Sequence, residues 1–152
     1  NTGAPDGSLG TISDGSYIVI NLSPSPIIVN GPSDTNYDFV YYEQPSGPGI
    51  QMDRVILSIS TDNTTYYVVF NWGDGNSDAN SNISNVAPEG DNQPINSSQL
   101  YGATGVLVDV DNASSHPPVG SYQYLAIQAP SPGSSDDLVM DSVQVIEVTP
   151  TP

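Results

Sequence analysis

The chain has no lysine, no cysteine, one arginine and one histidine. With Arg54 alone set against 17 carboxylates, the formal charge is −16. A nucleic-acid-binding surface needs several cationic side chains to displace counterions from phosphates, so that function class is excluded. Anionic membrane surfaces repel such a chain, and phosphoryl transfer would lack its usual cationic clamps. Without cysteine there are no disulfides and no thiol catalysis. Without lysine there is no lysine–asparagine isopeptide crosslink. One histidine and no cysteine leave no ordinary zinc site. Stability must come from an apolar core, from bound metal or from neighbouring subunits. An acidic surface of this kind stays soluble, repels copies of itself and attracts cations, Ca²⁺ above all.

Long hydrophobic runs are missing as well, and no segment is apolar enough to span a membrane as a helix. No signal peptide stands at the N-terminus, as expected of a processed secreted chain. Hydrophobic residues make up only 36% of the sequence. They are nevertheless gathered in runs rich in Val, Ile and Tyr, such as Tyr17–Leu22 and Val55–Ile59, which argues against disorder. The remainder is Asn, Ser, Thr, Asp, Gly and Pro, the residues of turns.

Periodicity predicts strands at Tyr17–Leu22, Ile27–Asn30, Tyr37–Glu43, Met52–Ser60, Thr65–Trp72, Val106–Val110, Tyr122–Gln128 and Leu138–Val148. Thr61 to Thr64 reads as a hairpin turn. No window carries a helical stripe; Ser97 to Tyr101 makes one turn at most, with Ser97 as its cap. About eight strands with long loops predict an all-β fold, an antiparallel β-sandwich of jelly-roll type, in one domain over residues 1–148. Residues 149–152, Thr-Pro-Thr-Pro, have the composition of a stiff extracellular linker. From Gly73 to Gly105 there is almost no apolar run, and a loop that long is either functional or propped by something.

The stretches Asp14–Leu22, Tyr37–Glu43, Asp53–Asp62 and Tyr67–Gly75, with Tyr122–Ile127 and Asp141–Ile146 closing the chain, carry a resemblance. In that order they resemble the β-sandwich modules of large secreted or cell-surface bacterial proteins. There, a strand ending in an aromatic residue and Glu precedes a hairpin of the type Ser-x-Asp-Gly. The chain departs from that pattern in having Asn63 at the hairpin glycine. Such modules are similar in architecture to discoidin-like and carbohydrate-binding jelly rolls. The resemblance implies an extracellular location and a non-catalytic role, and leaves the ligand open.

Oxygen-bearing side chains at alternate positions, Asp74, Asn76, Asp78 and Asn80, are what a Ca²⁺ loop supplies, because a hard cation takes about six to eight oxygens. An EF-hand is not expected: Ala79 stands where its glycine belongs, and Asn85 where its bidentate Glu belongs. A solvated, turn-rich loop accounts for the same residues. Weaker acidic groupings are Asp34 and Asp38 with Glu43 around one strand, Asp109 and Asp111 at the end of another, and Asp136, Asp137 and Asp141 opening the last. Solvated surface charge is the plainer reading of each. Arg54 is expected to form a structural ion pair with Glu43 or a loop Asp.

Tyrosine supplies nine of the aromatics. Trp72, Tyr41, Tyr42, Tyr66 and Tyr67 are candidate platforms for stacking sugars or anchoring an interface, since each Tyr pair places one ring on either sheet face. For Trp72, capping the core is the competing role. Sequons stand at Asn21, Asn63, Asn82, Asn96 and Asn112. Catalysis finds no constellation: His116 sits in a proline-rich loop, there is no Gly-x-Ser-x-Gly elbow, and no two of Glu43, Glu89 and Glu147 pair up. The sequence therefore points to a non-catalytic extracellular structural or adhesive module, a unit of a filament, pilus-like fibre or multidomain surface protein. Its partners would be copies of itself or neighbouring modules, met through a sheet edge, the segment Asn1–Gly10 or the tail. The alternative is a Ca²⁺-assisted carbohydrate-binding module with glycan partners.

Overall fold

A computed structural model describes residues 2–31, 34–86, 89–130 and 137–148. Twelve strands appear in order: β1 (Gly10–Ile12), β2 (Tyr17–Asn21), β3 (Ile27–Val29), β4 (Tyr37–Glu43), β5 (Gly49–Met52), β6 (Val55–Ser60), β7 (Tyr67–Trp72), β8 (Gln93–Asn96), β9 (Gly105–Val108), β10 (Gly120–Tyr122), β11 (Tyr124–Gln128) and β12 (Leu138–Val148). The only described helix, a 3₁₀ turn, spans Ser97–Gln99, and its cap is Asn96 rather than Ser97. That helix is far too short to cross a membrane.

The strands form two four-stranded antiparallel sheets, β1-β12-β4-β9 and β2-β11-β6-β7, and two ribbons, β10-β3 and β5-β8. At one edge of each large sheet a strand from near the start of the chain pairs with one from near its end, β1 with β12 and β2 with β11. Successive main strands alternate between the sheets except at the β6–β7 hairpin. That is the double Greek key of a jelly roll. Alternation along β6 shows how the core forms: Val55, Leu57 and Ile59 are fully buried, while Ile56 and Ser58 are half-buried. Phe39 and Tyr41 from β4, Leu125 and Ile127 from β11 and Val143 from β12 join them in one apolar cluster drawn from both sheets. Each such side chain contributes roughly 1.5–3 kcal/mol by leaving water. Tyr67 and Tyr122 close one side, edge to face, with centroids 6.3 Å apart.

Two of the expected strands are broken. Met52–Ser60 is interrupted at Asp53-Arg54, and Tyr122–Gln128 at Gln123. The first break rephases the chain, so Met52 and Val55 both face the core. The strands β1 and β8 were not expected, because β1 contributes only Ile12 to the core and β8 contains Pro94. In the hairpin, Asn63 takes φ = 59°, a left-handed conformation that Asn tolerates, so it replaces the pattern's glycine without loss of the turn. Asp62 Oδ1 accepts the Thr64 and Thr65 N–H groups there.

The loop from Gly73 onward is propped. Trp72 Nε1 donates to the Gly90 carbonyl at 3.0 Å, Glu89 accepts the Gly73 N–H, and Ile83 and Ile95 are buried. Arg54 donates through Nη2 to the Gly73 carbonyl, and its backbone N–H meets Asp91. The N-terminal segment is tied down rather than free: Gly3 N–H reaches the Val143 carbonyl, and buried Asp141 accepts the Asp6 and Gly7 N–H groups. Asp141 sits at a register shift in β12, and such a bulge re-aims a side chain. The linker residues 149–152 and Asp136 lie outside the described residues.

Candidate functional site

Two acidic groupings that are distant in sequence meet at one end of the sandwich. Carboxylate oxygens of Asp34, Asp109 and Asp111 lie within 4.8 Å of one another, and no other group of three or more potential Asp, Glu or His ligands does so among the described residues. Such a group could hold a metal ion. The strand ends and turns set it up. Asp109 follows β9 and accepts the Asp111 and Asn112 N–H groups on Oδ1, which turns the chain back on itself. Asp111 Oδ1 accepts the Asn30 and Gly31 N–H groups after β3. Asn112 bridges Asp109 Oδ2 and the Asp34 carbonyl.

Asp38, one turn of the pleat into β4, accepts the Val110 N–H at 2.8 Å. Burial, with the charges of Asp111, Asp109 and Asp34, pushes its carboxyl up to about 7 against that hydrogen bond. Burial likewise raises Asp109. Asp111 Oδ2 is buried with no hydrogen-bond partner among the described residues. The sequence singled out all four aspartates but could not join them: Asp38 and Val110 are 72 residues apart. It gave no sign of Asn30 or Asn36, whose side chains brace Asp34 and Glu147.

The loop residues that headed the metal-site expectation have separate uses. Asp74 accepts the Asn76 N–H in a local turn. Asp78 Oδ1 accepts the Asn71 N–H from β7. Asn80 Nδ2 donates to the Val69 and Asp109 carbonyls and so clamps β7 to the end of β9. All four line a cleft of about 310 Å³ with Ser115 and Asn112. Burial pushes Asp78 up to about 7, opposed by the Asn71 N–H and reinforced by Glu89 and Asp74. A carboxyl raised in this way keeps its proton in the folded chain at pH values where the unfolded chain, near 3.8, has lost it. Its contribution is therefore full below about pH 4 and is lost as pH rises through about 7. Asp78→Asn is expected to raise the melting temperature above about pH 7 and to flatten the slope between about pH 4 and 7. Melts of both proteins across that range test this, and an unchanged slope would count against it.

The aromatic expectations divide. Trp72 is 1% exposed, Tyr41 0% and Tyr42 3%, so none of the three is a surface platform. Trp72 is enclosed because the loop folds back over it, and Tyr41 points into the core. Tyr42 lies on the outer face of β4, but Val40 and Leu107 pack with it in a second buried cluster and its hydroxyl donates to Gln144. Tyr67 is turned inward against Tyr122. Tyr66 alone faces a surface groove, of about 510 Å³, with Tyr17, Val19, Ser58, Asn63 and Gln128. Tyr66 and Asn63 side chains hydrogen-bond at its rim. Tyr17 was missed because only pairing with β11 shows which way its ring points.

Glu43, one of the two partners expected for Arg54, accepts the Asp53 N–H on Oε1 instead, while the loop residue Asp91 meets the Arg54 backbone N–H. Among the sequons, Asn82 and Asn112 have their amide nitrogens committed twice each to neighbouring oxygens, which argues against a glycan on either in the folded chain. Asn21, Asn63 and Asn96 are exposed. No family model matches the chain, and neither a curated protein nor a solved structure does.

Proposed function

We propose that the chain is a non-catalytic extracellular module that joins neighbouring copies in a surface assembly or filament. The observation carrying this reading is β2. It stands at the edge of its sheet, paired only with β11 among the described residues. Tyr17, Ile18 and Val19 are 66%, 41% and 38% exposed. Ile18 lies opposite buried Ile127 in the ladder, on the side of the strand that faces the core, yet stays partly exposed. Natural edge strands are usually blunted by lysine, proline, charge or a bulge, and Tyr-Ile-Val-Ile-Asn has none of these. An open apolar edge is a template for strand addition. The extracellular setting rests on composition, on the Thr/Pro tail and on the resemblance to secreted modules. In that setting Asp34, Asp109 and Asp111 would hold Ca²⁺, a hard cation suited to carboxylate oxygens.

Ile18→Lys places a charge where strand addition must bury it. Wild type is expected to associate as concentration rises in sedimentation velocity, and the variant to remain a folded monomer. A wild type that stays monomeric throughout would overturn the reading. It would leave the second one standing, that of a glycan-binding module. That alternative is favoured by the groove between Tyr17 and Tyr66, whose lining carries no charged side chain on a chain of net −16. Rings and uncharged hydroxyl and amide groups suit a neutral sugar.

A further inference from the structure

A second cluster of carboxylates lies where β4 ends, β5 gives way to β6 and β12 begins. Glu43 is 1% exposed, a glutamate inside the sandwich. One oxygen, Oε1, accepts the Asp53 N–H at 2.9 Å, while the other, Oε2, is buried with no hydrogen bond of normal geometry among the described residues. Asp53 is 8% exposed and accepts the Val139 N–H on Oδ2. Both residues line a cleft of about 250 Å³ that also presents Asp137, Gln44, Gln51 and Asn92. Its polar lining offers oxygen donors and no cationic side chain.

A carboxylate taken out of water needs an opposite charge, a proton or a full set of hydrogen bonds. A hydrogen bond of normal geometry reaches only Oε1, while the buried Tyr41 hydroxyl and the Asp53 carboxyl stand beside the Glu43 carboxyl. Charge from within the chain is scarce, since there is no lysine and Arg54, the one arginine, does not line the cleft. Burial first, then the neighbouring Asp53 charge, holds the Glu43 carboxyl well above the usual range. A proton would neutralise one oxygen and leave the other carboxylates and amide oxygens of the cleft facing one another. A cation serves them together, and all-oxygen donors of mixed carboxylate and amide type select a hard one.

We infer that this cleft binds one divalent cation of the Ca²⁺ class, with Glu43 Oε2 and Asp53 as its inner ligands and Asp137 at its rim. The ion would tie the ends of three strands from both sheets. The inference is independent of the Asp34–Asp109–Asp111 site, and separate variants distinguish the two. Equilibrium dialysis of the whole chain against Ca²⁺ is expected to show one ion fewer per chain in Glu43→Gln than in wild type. The double variant Asp109→Asn, Asp111→Asn is expected to keep that ion. A folded Glu43→Gln that binds as many ions as wild type would overturn the assignment.

Should Glu43→Gln fail to fold, exposed Asp137 offers a milder probe. Asp137→Asn is expected to weaken Ca²⁺ binding at this site about tenfold, because ligand charge sets affinity in such sites. Unchanged binding would refute the site. In wild type, the carboxyl carbon resonance of Glu43 is expected to shift on Ca²⁺ addition. A resonance that titrates with pH and ignores saturating Ca²⁺ would instead identify a shared proton between Glu43 and Asp53.

Discussion

Trp72→Ala is expected to lower the unfolding free energy by about 3–5 kcal/mol, the range for emptying a large aromatic site in a core. The indole is 1% exposed and belongs to the main apolar cluster. Removing it opens a cavity and also strips the Gly90 carbonyl of its donor, a further loss of about 1 kcal/mol. Domains of this size have only about 5–15 kcal/mol in total, so the variant should sit near the edge of folding. The two contributions can be separated with Trp72→Phe, which keeps most of the volume and loses the N–H. It should cost well under half as much. Urea denaturation followed by circular dichroism is the measurement, since the chain has one tryptophan and the substitution removes the fluorescence probe. A loss below about 1 kcal/mol in Trp72→Ala would contradict the buried placement.

Gly49→Ala is expected to be nearly as damaging, for the opposite reason. Gly49 is buried in β5, opposite Asn96 in β8. A Cβ there would collide with the Ile95 carbonyl and stand 3.0 Å from the Ser97 nitrogen. These are backbone atoms held by the ribbon's own pairing, and Ser97 N–H is bonded to the Pro48 carbonyl. They cannot swing aside as a side chain would. Overpacking of this kind costs about 1–3 kcal/mol or more, and here relief requires separating the β5–β8 ribbon. Hydrogen exchange should therefore show protection lost first at Ile50 and Ile95, which face each other across the ribbon, with the two large sheets still protected. Uniform loss across the molecule, or none, would refute the local steric argument.

The outline of this fold could be read from the residues, and the reasons are local. Tyr37–Glu43 and Leu138–Val148 were bounded correctly as β4 and β12 because both are rich in Val and other strand-favouring apolar or aromatic residues. The Thr61–Thr64 turn was legible from its own turn residues, Asp62 and Asn63. What could not be read depends on distant partners. Trp72 beside a polar loop looks exposed until Gly90 is known to lie across it. Tyr41-Tyr42 obey alternation, yet both rings are buried, because the outer face of β4 is covered by Val40 and Leu107 as well as Tyr37 and Ile146. Asp34 with Asp38 and Asp109 with Asp111 were visible as pairs, but the β4–β9 pairing and the Asn112 bridge that bring them together join residues far apart in sequence. The aspartates nearer in sequence, 74 and 78, were drawn instead into turn and strand-end hydrogen bonds.

The open edge of β2 also limits the size of any assembly it builds. If two copies pair β2 against β2, the contact is isologous: a twofold axis relates them, each edge satisfies the other, and growth stops at a dimer. A filament needs a donor strand from elsewhere on the neighbour, so that every unit still presents an unfilled edge. Stoichiometry thus becomes a readout of symmetry. Discrete dimers would mean that β2 meets its own twin, and a continuous size distribution would mean that some other segment of the chain fills it.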